Sequence, residues 1–223
     1  MSIKENLLEV ESEIPNGVKL VAVSKYHPVE ALQEAYDAGQ RIFGESHVQE
    51  LVGKEEALPK DIIWHFIGHL QTNKVKYIVP FISLIHAVDT MKLLKEIDKQ
   101  AQKVGRKVNC LLQLHIAKEE TKFGFTPEEL KEMLSQNEWK EYNNVNICGL
   151  MCMATNTDDD QQVRNEFHYA RSIFDEVKNT YFATDDSFCE LSMGMSGDYP
   201  LAIEEGCTMV RVGSKIFGNR VYN

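Results

Sequence analysis

Short apolar runs alternate with longer amphipathic stretches about eight times along this chain of 223 residues. The apolar runs lie at residues 20–23, 41–43, 63–66, 84–87, 109–114, 146–151, 189–192 and 209–212. Such short continuous runs are typical of strands that are buried on both faces, as in parallel α/β sheets. Strands that alternate with helices are parallel neighbours joined by crossovers, and eight such units close a barrel. We therefore predict a (β/α)8 barrel.

The stretches between the runs carry helix boundary signals. Thr126 followed by Pro127 predicts an N-cap with proline at the first helical position, and Gly39 and Gly105 follow amphipathic stretches as helix stops. Residues 158–177 place apolar side chains at helical spacing after an acidic start. We interpret those carboxylates as a helix cap rather than a metal site.

The chain has the organisation of one domain. No Pro-, Gly- or Ser-rich linker divides it, and its length is within the range of a single barrel. We predict one domain over residues 1–223, with residues 1–14 as an extra helix before the first strand. An open doubly wound sheet is the alternative, but residues 24–27, after the first strand, lack the glycines that bind a dinucleotide there.

The charge and cysteine content narrow the class of protein. A formal net charge of -10 argues against binding to nucleic-acid phosphates and favours a soluble monomer. Five scattered cysteines fit a reducing cytosol, and no second pair or histidine completes a zinc site, so we expect no metal. We find neither an export signal nor an apolar run of membrane-spanning length, which predicts a cytoplasmic protein with no membrane contact.

Lys25 follows the first predicted strand directly. The carboxyl ends of the strands line the ligand site of a barrel, so an amine at this point can meet a carbonyl group. A pocket of low dielectric would lower the pKa of the lysine and free the amine for Schiff-base chemistry. The alternative is an ordinary solvated charge in a loop.

The loops after the seventh and eighth strands are rich in Gly and Ser. Barrels often bind a phosphate at this place, because glycine lets backbone amides approach the anion. The hydroxyls of Ser196 and Ser214 can donate to it, and a helix that begins near Ser214 would point its N-terminus at the charge. Ordinary turns and caps are the alternative interpretation.

Four motifs carry a resemblance to a known family: WHFIGHLQTNK at residues 64–74, VAVSK ending at Lys25, LSMGMS at 191–196 and RVGSKIFG at 211–218. Together they resemble the YggS-like pyridoxal 5′-phosphate (PLP) homeostasis proteins, and the similarity extends over nearly the whole chain. The resemblance implies the barrel fold of the alanine racemase N-terminal domain, with PLP held as an internal aldimine.

The resemblance also implies a set of cofactor-binding residues: Lys25, Met195, Ser196, Arg211, Gly213 and Ser214. Among them Lys25 corresponds to the aldimine lysine and Arg211 to the partner of the pyridine nitrogen. The serines and Gly213 correspond to phosphate binders. The sequence departs from the family's common residues at positions 46, 47 and 115.

An arginine at the pyridine nitrogen bears on function. PLP enzymes that need a strong electron sink place a carboxylate there. Arg211 keeps its proton, so it would leave the nitrogen neutral and disfavour carbanion delocalisation. Alanine racemase also takes a second base from a C-terminal domain, which we do not expect in this chain. We predict a protein that holds PLP for intracellular PLP homeostasis, with no catalytic residues and no robust turnover.

Two other functions stay open at this stage. The first is an amino-acid racemase or lyase, with proton transfer by Glu45, His65, His69 or His115, although we expect hydrogen-bonding or packing roles for these side chains. The second is a regulator that binds partner proteins and has PLP as a ligand. For the carrier, apo forms of PLP enzymes are the expected acceptors.

Overall fold

The computed structural model describes residues 2–118 and 123–218, in which parallel strands close a barrel in chain order. The strands are β1 (Lys19–Val23), β2 (Ile42–Glu45), β3 (Ile63–Phe66), β4 (Leu84–Val88), β5 (Val108–His115), β6 (Val145–Met153), β7 (Glu190–Met195) and β8 (Met209–Val212). β1 pairs with β8 through Val21 and Arg211, which completes the ring. The predicted (β/α)8 barrel is confirmed.

Helices connect the strands and surround them. They are α1 (Ile3–Glu13), α2 (Val29–Asp37), α3 (Val48–Ala57), α4 (Val75–Ile78), α5 (Met91–Lys103), α6 (Pro127–Ser135), α7 (Asp160–Tyr181), α8 (Tyr199–Glu204) and α9 (Ser214–Phe217), with 3₁₀ turns at Thr72–Lys74 and Glu138–Glu141. The extra helix predicted over residues 1–14 is α1, and Met1 lies outside the described residues. None of the helices in the described part of the chain is long and apolar enough to cross a membrane.

Two predicted helix starts have the expected caps. Thr126 accepts a hydrogen bond from Glu129 N, and Glu129 in turn accepts from Thr126 N, which is a capping box in front of Pro127. The Asp159 carboxylate accepts from the amides of Gln161 and Gln162 at the start of α7. The acidic residues before α7 therefore include a helix cap, as the sequence predicts.

The seventh strand is longer than its apolar run indicates. β7 continues to Met195, whereas the sequence predicts a loop from Ser192 onward. The register against β8 shifts between Ser192 and Met195, and Gly194 within this irregular segment has a φ of 89°. A Cβ on Gly194 would lie 2.6 Å from Ala202 Cβ, so only glycine lets α8 approach the strand this closely.

The interior of the barrel combines apolar and polar side chains. Val21, Leu111, Met151 and Met209 belong to a buried apolar cluster, and burial of each such side chain contributes about 1.5–3 kcal/mol. A larger buried cluster includes residues of both strands and helices and supplies most of the core. Buried polar groups lie on several strands as well, among them His86 on β4. Polar groups at such positions need hydrogen-bond partners, because water cannot reach them.

The first helix, α1, is hydrogen-bonded to α8 and α9. Asn6 Nδ2 donates to Ile216 O over 3.0 Å, and Tyr199 hydroxyl donates to the Glu13 carboxylate. Lys215 Nζ donates to the same Tyr199 hydroxyl over 3.1 Å. α1 therefore supports α8 and α9, the helices before and after β8.

Candidate functional site

Lys25 lies two residues after the last residue of β1, at the carboxyl end of the barrel. Lys25 is half-buried, so it is neither a fully solvated charge nor part of the core. The next residue, Tyr26, has a φ of 66°, a left-handed conformation that is uncommon outside glycine. This turn directs the chain away from the barrel toward α2 immediately after Lys25.

A buried lysine on α3 fixes the backbone on both sides of Lys25. Lys54 Nζ donates to Ser24 O over 2.8 Å and to Glu50 Oε1 over 2.7 Å. The same Glu50 oxygen accepts from Tyr26 N over 2.6 Å. We call Ser24, Tyr26, Glu50, Lys54 and Glu45 the Lys54 clamp. The clamp holds the carbonyl before Lys25 and the amide after it.

Glu45 completes the clamp from the end of β2. Its Oε1 accepts from Lys54 Nζ over 2.7 Å and from Ser24 Oγ over 2.6 Å. Its Oε2 is buried and has no hydrogen-bond partner in the described part of the chain. Burial raises the pKa of Glu45 to about 7, although Lys54 and Ser24 act in the opposite direction. With a pKa of about 7, the Glu45 carboxyl is protonated in part of the molecules at neutral pH.

The loops after β7 and β8 are joined at Gly213. Gly213 N donates to Ser196 Oγ over 3.0 Å. A Cβ on Gly213 would lie only 2.9 Å from Val23 O, two residues before Lys25, so a side chain at this position would push β1 away. The structure thus brings Ser196 and Gly213 to the end of the strand that carries Lys25.

Met195 and Ser214 lie at the edges of this group. Met195 pairs with Arg211 in the sheet, its side chain is partly exposed, and its amide donates to Asp198 Oδ1 over 2.5 Å. Ser214 is the exposed first residue of α9, directly after Gly213. Both are on the carboxyl side of the barrel, where the sequence predicts them.

Arg211 is buried in the barrel and points into a polar network. Its Nη1 donates to Ser192 Oγ over 2.6 Å, and its Nη2 donates to Cys152 O over 2.9 Å. Burial lowers the pKa of Arg211 from its usual value, yet a guanidinium keeps its proton in proteins. Arg211 is therefore a fixed cation beneath the site.

Two histidines continue this network. Ser192 Oγ lies 3.0 Å from His86 Nδ1, and His86 Nε2 lies 3.0 Å from His65 Nδ1. Burial, together with the nearby His65 and Arg211, lowers the pKa of His86 well below its ordinary value. Burial and the charge of Lys19 lower the pKa of His65 to about 3. Both rings are therefore neutral at physiological pH.

The other candidate proton donors have partners at the rim of the barrel. His69 Nδ1 lies 3.0 Å from Asp89 Oδ2, and its ring stacks on Phe123 with the centroids 4.1 Å apart. His47 is not such a candidate but one of the departures from the family's common residues, and its Nε2 lies 3.4 Å from the phenol oxygen of Tyr26. His115 is the last residue of β5, and its backbone N donates to Phe125 O over 2.8 Å.

The residues present fit a phosphorylated pyridine aldehyde. Lys25 supplies an amine, and Gly213 leaves a space next to Val23 O that a side chain would fill. Arg211 supplies a buried donor. Sequence reasoning missed Lys54 and His86. Lys54 gives no signal in the sequence, because Glu50 and Lys54 are spaced like an exposed pair one helical turn apart. His86 does give a signal, because a histidine inside the apolar run of β4 is an unusual buried polar group.

Comparison with known proteins defines the class. The family described as alanine racemase, N-terminal domain, matches residues 1–221, and the barrel is the fold of that domain. An alanine racemase of Clostridium difficile 630 shares the fold with a TM-score of 0.77, although it is only 14% identical and the match covers 100% of this chain and 57% of that one.

Within this class, the chain belongs to the pyridoxal phosphate homeostasis proteins. It is 42% identical to the pyridoxal phosphate homeostasis protein of Aquifex aeolicus, over 93% of this chain and 89% of that protein. It is 39% identical to the one of Schizosaccharomyces pombe, over 92% of this chain and 85% of that protein. The resemblance that the four sequence motifs indicate is confirmed.

A solved structure of a similar protein has the same architecture. PipY of Synechococcus elongatus, described as a COG0325 family member, is 38% identical to this chain in a structure with PLP bound. The match covers 97% of this chain and 100% of PipY, with a TM-score of 0.88. The PipY structure without PLP gives a TM-score of 0.91 with the same coverage.

Proposed function

We propose that this protein binds PLP through Lys25 and takes part in PLP homeostasis. The observation that carries the proposal is the close approach of Gly213 to the end of β1, which places the Gly- and Ser-containing loops beside Lys25. The PLP-bound structure of PipY and the names of the curated relatives support it. When bound, PLP supplies an aldehyde, which condenses with an amine with loss of one water.

Each residue has a separate role in this proposal. Lys25 is the amine that forms the covalent bond. Ser196, Gly213 and Ser214 bind the phosphate, and backbone N–H groups contribute because glycine lets the anion come close. Arg211 donates to the pyridine nitrogen. Met195 packs at the edge of the ring, because it pairs with Arg211 and is partly exposed.

We further propose that the protein stores and transfers PLP without robust turnover. Arg211 has only donors, so a protonated pyridine nitrogen would have no acceptor in it, and the nitrogen stays neutral. A neutral ring is a weak electron sink. The relatives are named as homeostasis proteins, which supports a carrier. We propose a monomer of one domain that works in the cytoplasm and passes PLP to apo forms of PLP enzymes.

Borohydride reduction tests the covalent bond. The purified protein is incubated with PLP, reduced, digested and mapped by mass spectrometry. We expect the pyridoxyl group on Lys25, and we expect Lys25→Ala to lose the absorbance of the bound cofactor. An adduct confined to another lysine, such as Lys74 or Lys215, refutes the role of Lys25.

A second experiment separates a carrier from a racemase or lyase. The PLP-loaded protein is incubated with alanine in D₂O, and deuterium at Cα is followed by NMR. We expect no sustained exchange and no release of keto acid. Exchange at the rate of ordinary PLP enzymes, lost in Arg211→Glu, would overturn both the carrier function and the role of Arg211.

A further inference from the structure

A chain of hydrogen bonds crosses the barrel interior from β8 to β3. It runs from Arg211 to Ser192 over 2.6 Å, from Ser192 to His86 over 3.0 Å and from His86 to His65 over 3.0 Å. Ser192 is on β7 and His86 on β4, so the chain joins opposite walls of the barrel. All members are buried, and therefore each hydrogen and lone pair between them must be matched.

The direction of these bonds follows from Arg211. A guanidinium has only donors, so Ser192 Oγ accepts from Arg211. The Ser192 hydroxyl hydrogen then has His86 Nδ1 as its acceptor. His86 must carry its own hydrogen on Nε2 and donate to His65 Nδ1, which leaves the His65 hydrogen on Nε2.

The reverse direction leaves a buried group unmatched. If His65 donated to His86 and His86 donated to Ser192, Ser192 Oγ would accept twice. Its hydroxyl hydrogen would then have no acceptor among the described residues, since its contacts there are Arg211 and His86. An unmatched buried hydroxyl is unfavourable, because no water replaces the missing acceptor. Protonation of the rings is disfavoured as well, because burial lowers the pKa of both histidines, with the charge of Arg211 acting on His86 and that of Lys19 on His65.

The far end of the chain opens on a cavity. His65 lines a cavity of about 350 Å³ at the amino end of the barrel, together with Lys19, Ser83 and Glu190. Lys19 Nζ donates to the Glu190 carboxylate at that end. The His65 Nε2 hydrogen is left for this cavity, so the chain begins at a fixed cation and ends at the cavity.

We propose that Ser192, His86 and His65 are positioning residues for the cofactor, because their one-directional chain holds the Arg211 guanidinium against the pyridine nitrogen. This inference rests on the proposed function. Ser192 and Cys152 O hold the two Nη atoms of Arg211, and His86 fixes the Ser192 hydroxyl in the rotamer that accepts from Arg211. These hydrogen bonds fix the orientation of the guanidinium and therefore the direction of its remaining N–H groups.

The first test uses the cofactor-free protein. Wild-type protein labelled with ¹⁵N-histidine is analysed by long-range ¹H–¹⁵N NMR at neutral pH. We expect both His65 and His86 as neutral rings with the hydrogen on Nε2. A hydrogen on Nδ1 of His86, or a doubly protonated ring, overturns the chain whether or not the protein binds PLP.

The second test uses the PLP-loaded protein and three variants. His86→Leu removes the acceptor for Ser192, whereas His86→Asn keeps an acceptor, because the amide oxygen lies near the position of Nδ1. Cys110→Ala is the control, a buried change at a side chain whose hydrogen bond goes to Val108 O, outside the chain of hydrogen bonds. We expect His86→Leu to release PLP about tenfold faster, and His86→Asn and the control to release it at the wild-type rate.

A spectroscopic measurement separates positioning from loss of fold. PLP labelled with ¹⁵N in the ring reports the hydrogen bond at the pyridine nitrogen. We expect its resonance to move in His86→Leu and to return in His86→Asn, while thermal melting of the cofactor-free forms shows that all variants fold. Wild-type release with an unchanged resonance in His86→Leu refutes positioning. If wild-type protein retains no PLP at all, the proposed function fails instead.

Discussion

Lys54 Nζ lies 2.8 Å from the carbonyl oxygen of Ser24, the residue before Lys25. Lys54 is almost fully buried, which is rare for a lysine unless its charge is paired. Its partners are Glu45 and Glu50. A second lysine thus lies next to the turn that carries Lys25, where it donates to the backbone.

Loss of the Lys54 charge should disrupt the turn that carries Lys25. Lys54→Met keeps the length of the side chain but leaves Ser24 O and Glu45 without their donor, at a cost of about 1–3 kcal/mol. Glu45, whose pKa is already raised, then takes up a proton rather than staying charged. We expect a lower melting temperature and weaker PLP binding. Lys60→Met, at an exposed ion pair with Glu55, is the control and should change stability by less than about 1 kcal/mol. Normal PLP binding by folded Lys54→Met would show that the clamp does not position Lys25.

The buried Glu45 carboxyl should make stability depend on pH. Its pKa is raised to about 7 in the folded protein against an ordinary value of 4.5. Between these values the folded state binds more protons than the unfolded state, so this group makes stability fall as pH rises from 4.5 to 7. Glu45→Gln should remove that component. The difference in unfolding free energy between Glu45→Gln and wild type, measured from pH 4.5 to 8, should grow up to pH 7 and then level off. A constant difference would contradict the raised pKa.

A methyl group at Gly213 should weaken the cofactor site. The added Cβ would lie 2.9 Å from Val23 O, so β1 or the loop after β8 must move, at a cost of about 1–3 kcal/mol. We expect Gly213→Ala to bind PLP more weakly in an absorbance titration. Gly53→Ala is a matched control, because Gly53 is in the interior of α3 with nothing within 4 Å of the added Cβ. That change should leave PLP binding intact and stabilise the helix by about 0.5–1 kcal/mol.

The two serines should contribute to phosphate binding without dominating it. Hydrogen bonds to charged groups contribute about 1.5–3 kcal/mol each, and backbone amides remain when Ser196 and Ser214 are both replaced by Ala. We expect the double variant to bind PLP more weakly than wild type, and wild type to bind pyridoxal more weakly than PLP. Equal affinities for pyridoxal and PLP would show that these loops do not form a phosphate site.

The sequence predicts the barrel well because each strand is a separate apolar run. It does not predict the end of β7. Leu191, Met193 and Met195 do alternate with Ser192 and Gly194, but glycine and serine in this segment are also typical of a loop, and the strand continues through an irregular segment at Gly194. The position of Lys25 follows from its place after β1. The Lys54 clamp does not, because the spacing of Glu50 and Lys54 fits an exposed helix face equally well and only the packing of α3 against β1 and β2 shows its burial.

The pairing of β1 with β8 has a consequence for the synthesis of the protein. Lys25 leaves the ribosome before Gly213, which follows about 10–40 s later at roughly 5–20 residues per second. During this interval a nascent chain has the reactive amine but lacks the loop that packs on Val23. Under the proposed function, the protein therefore retains PLP only after translation has passed β8, and unfinished chains do not lower the concentration of free PLP.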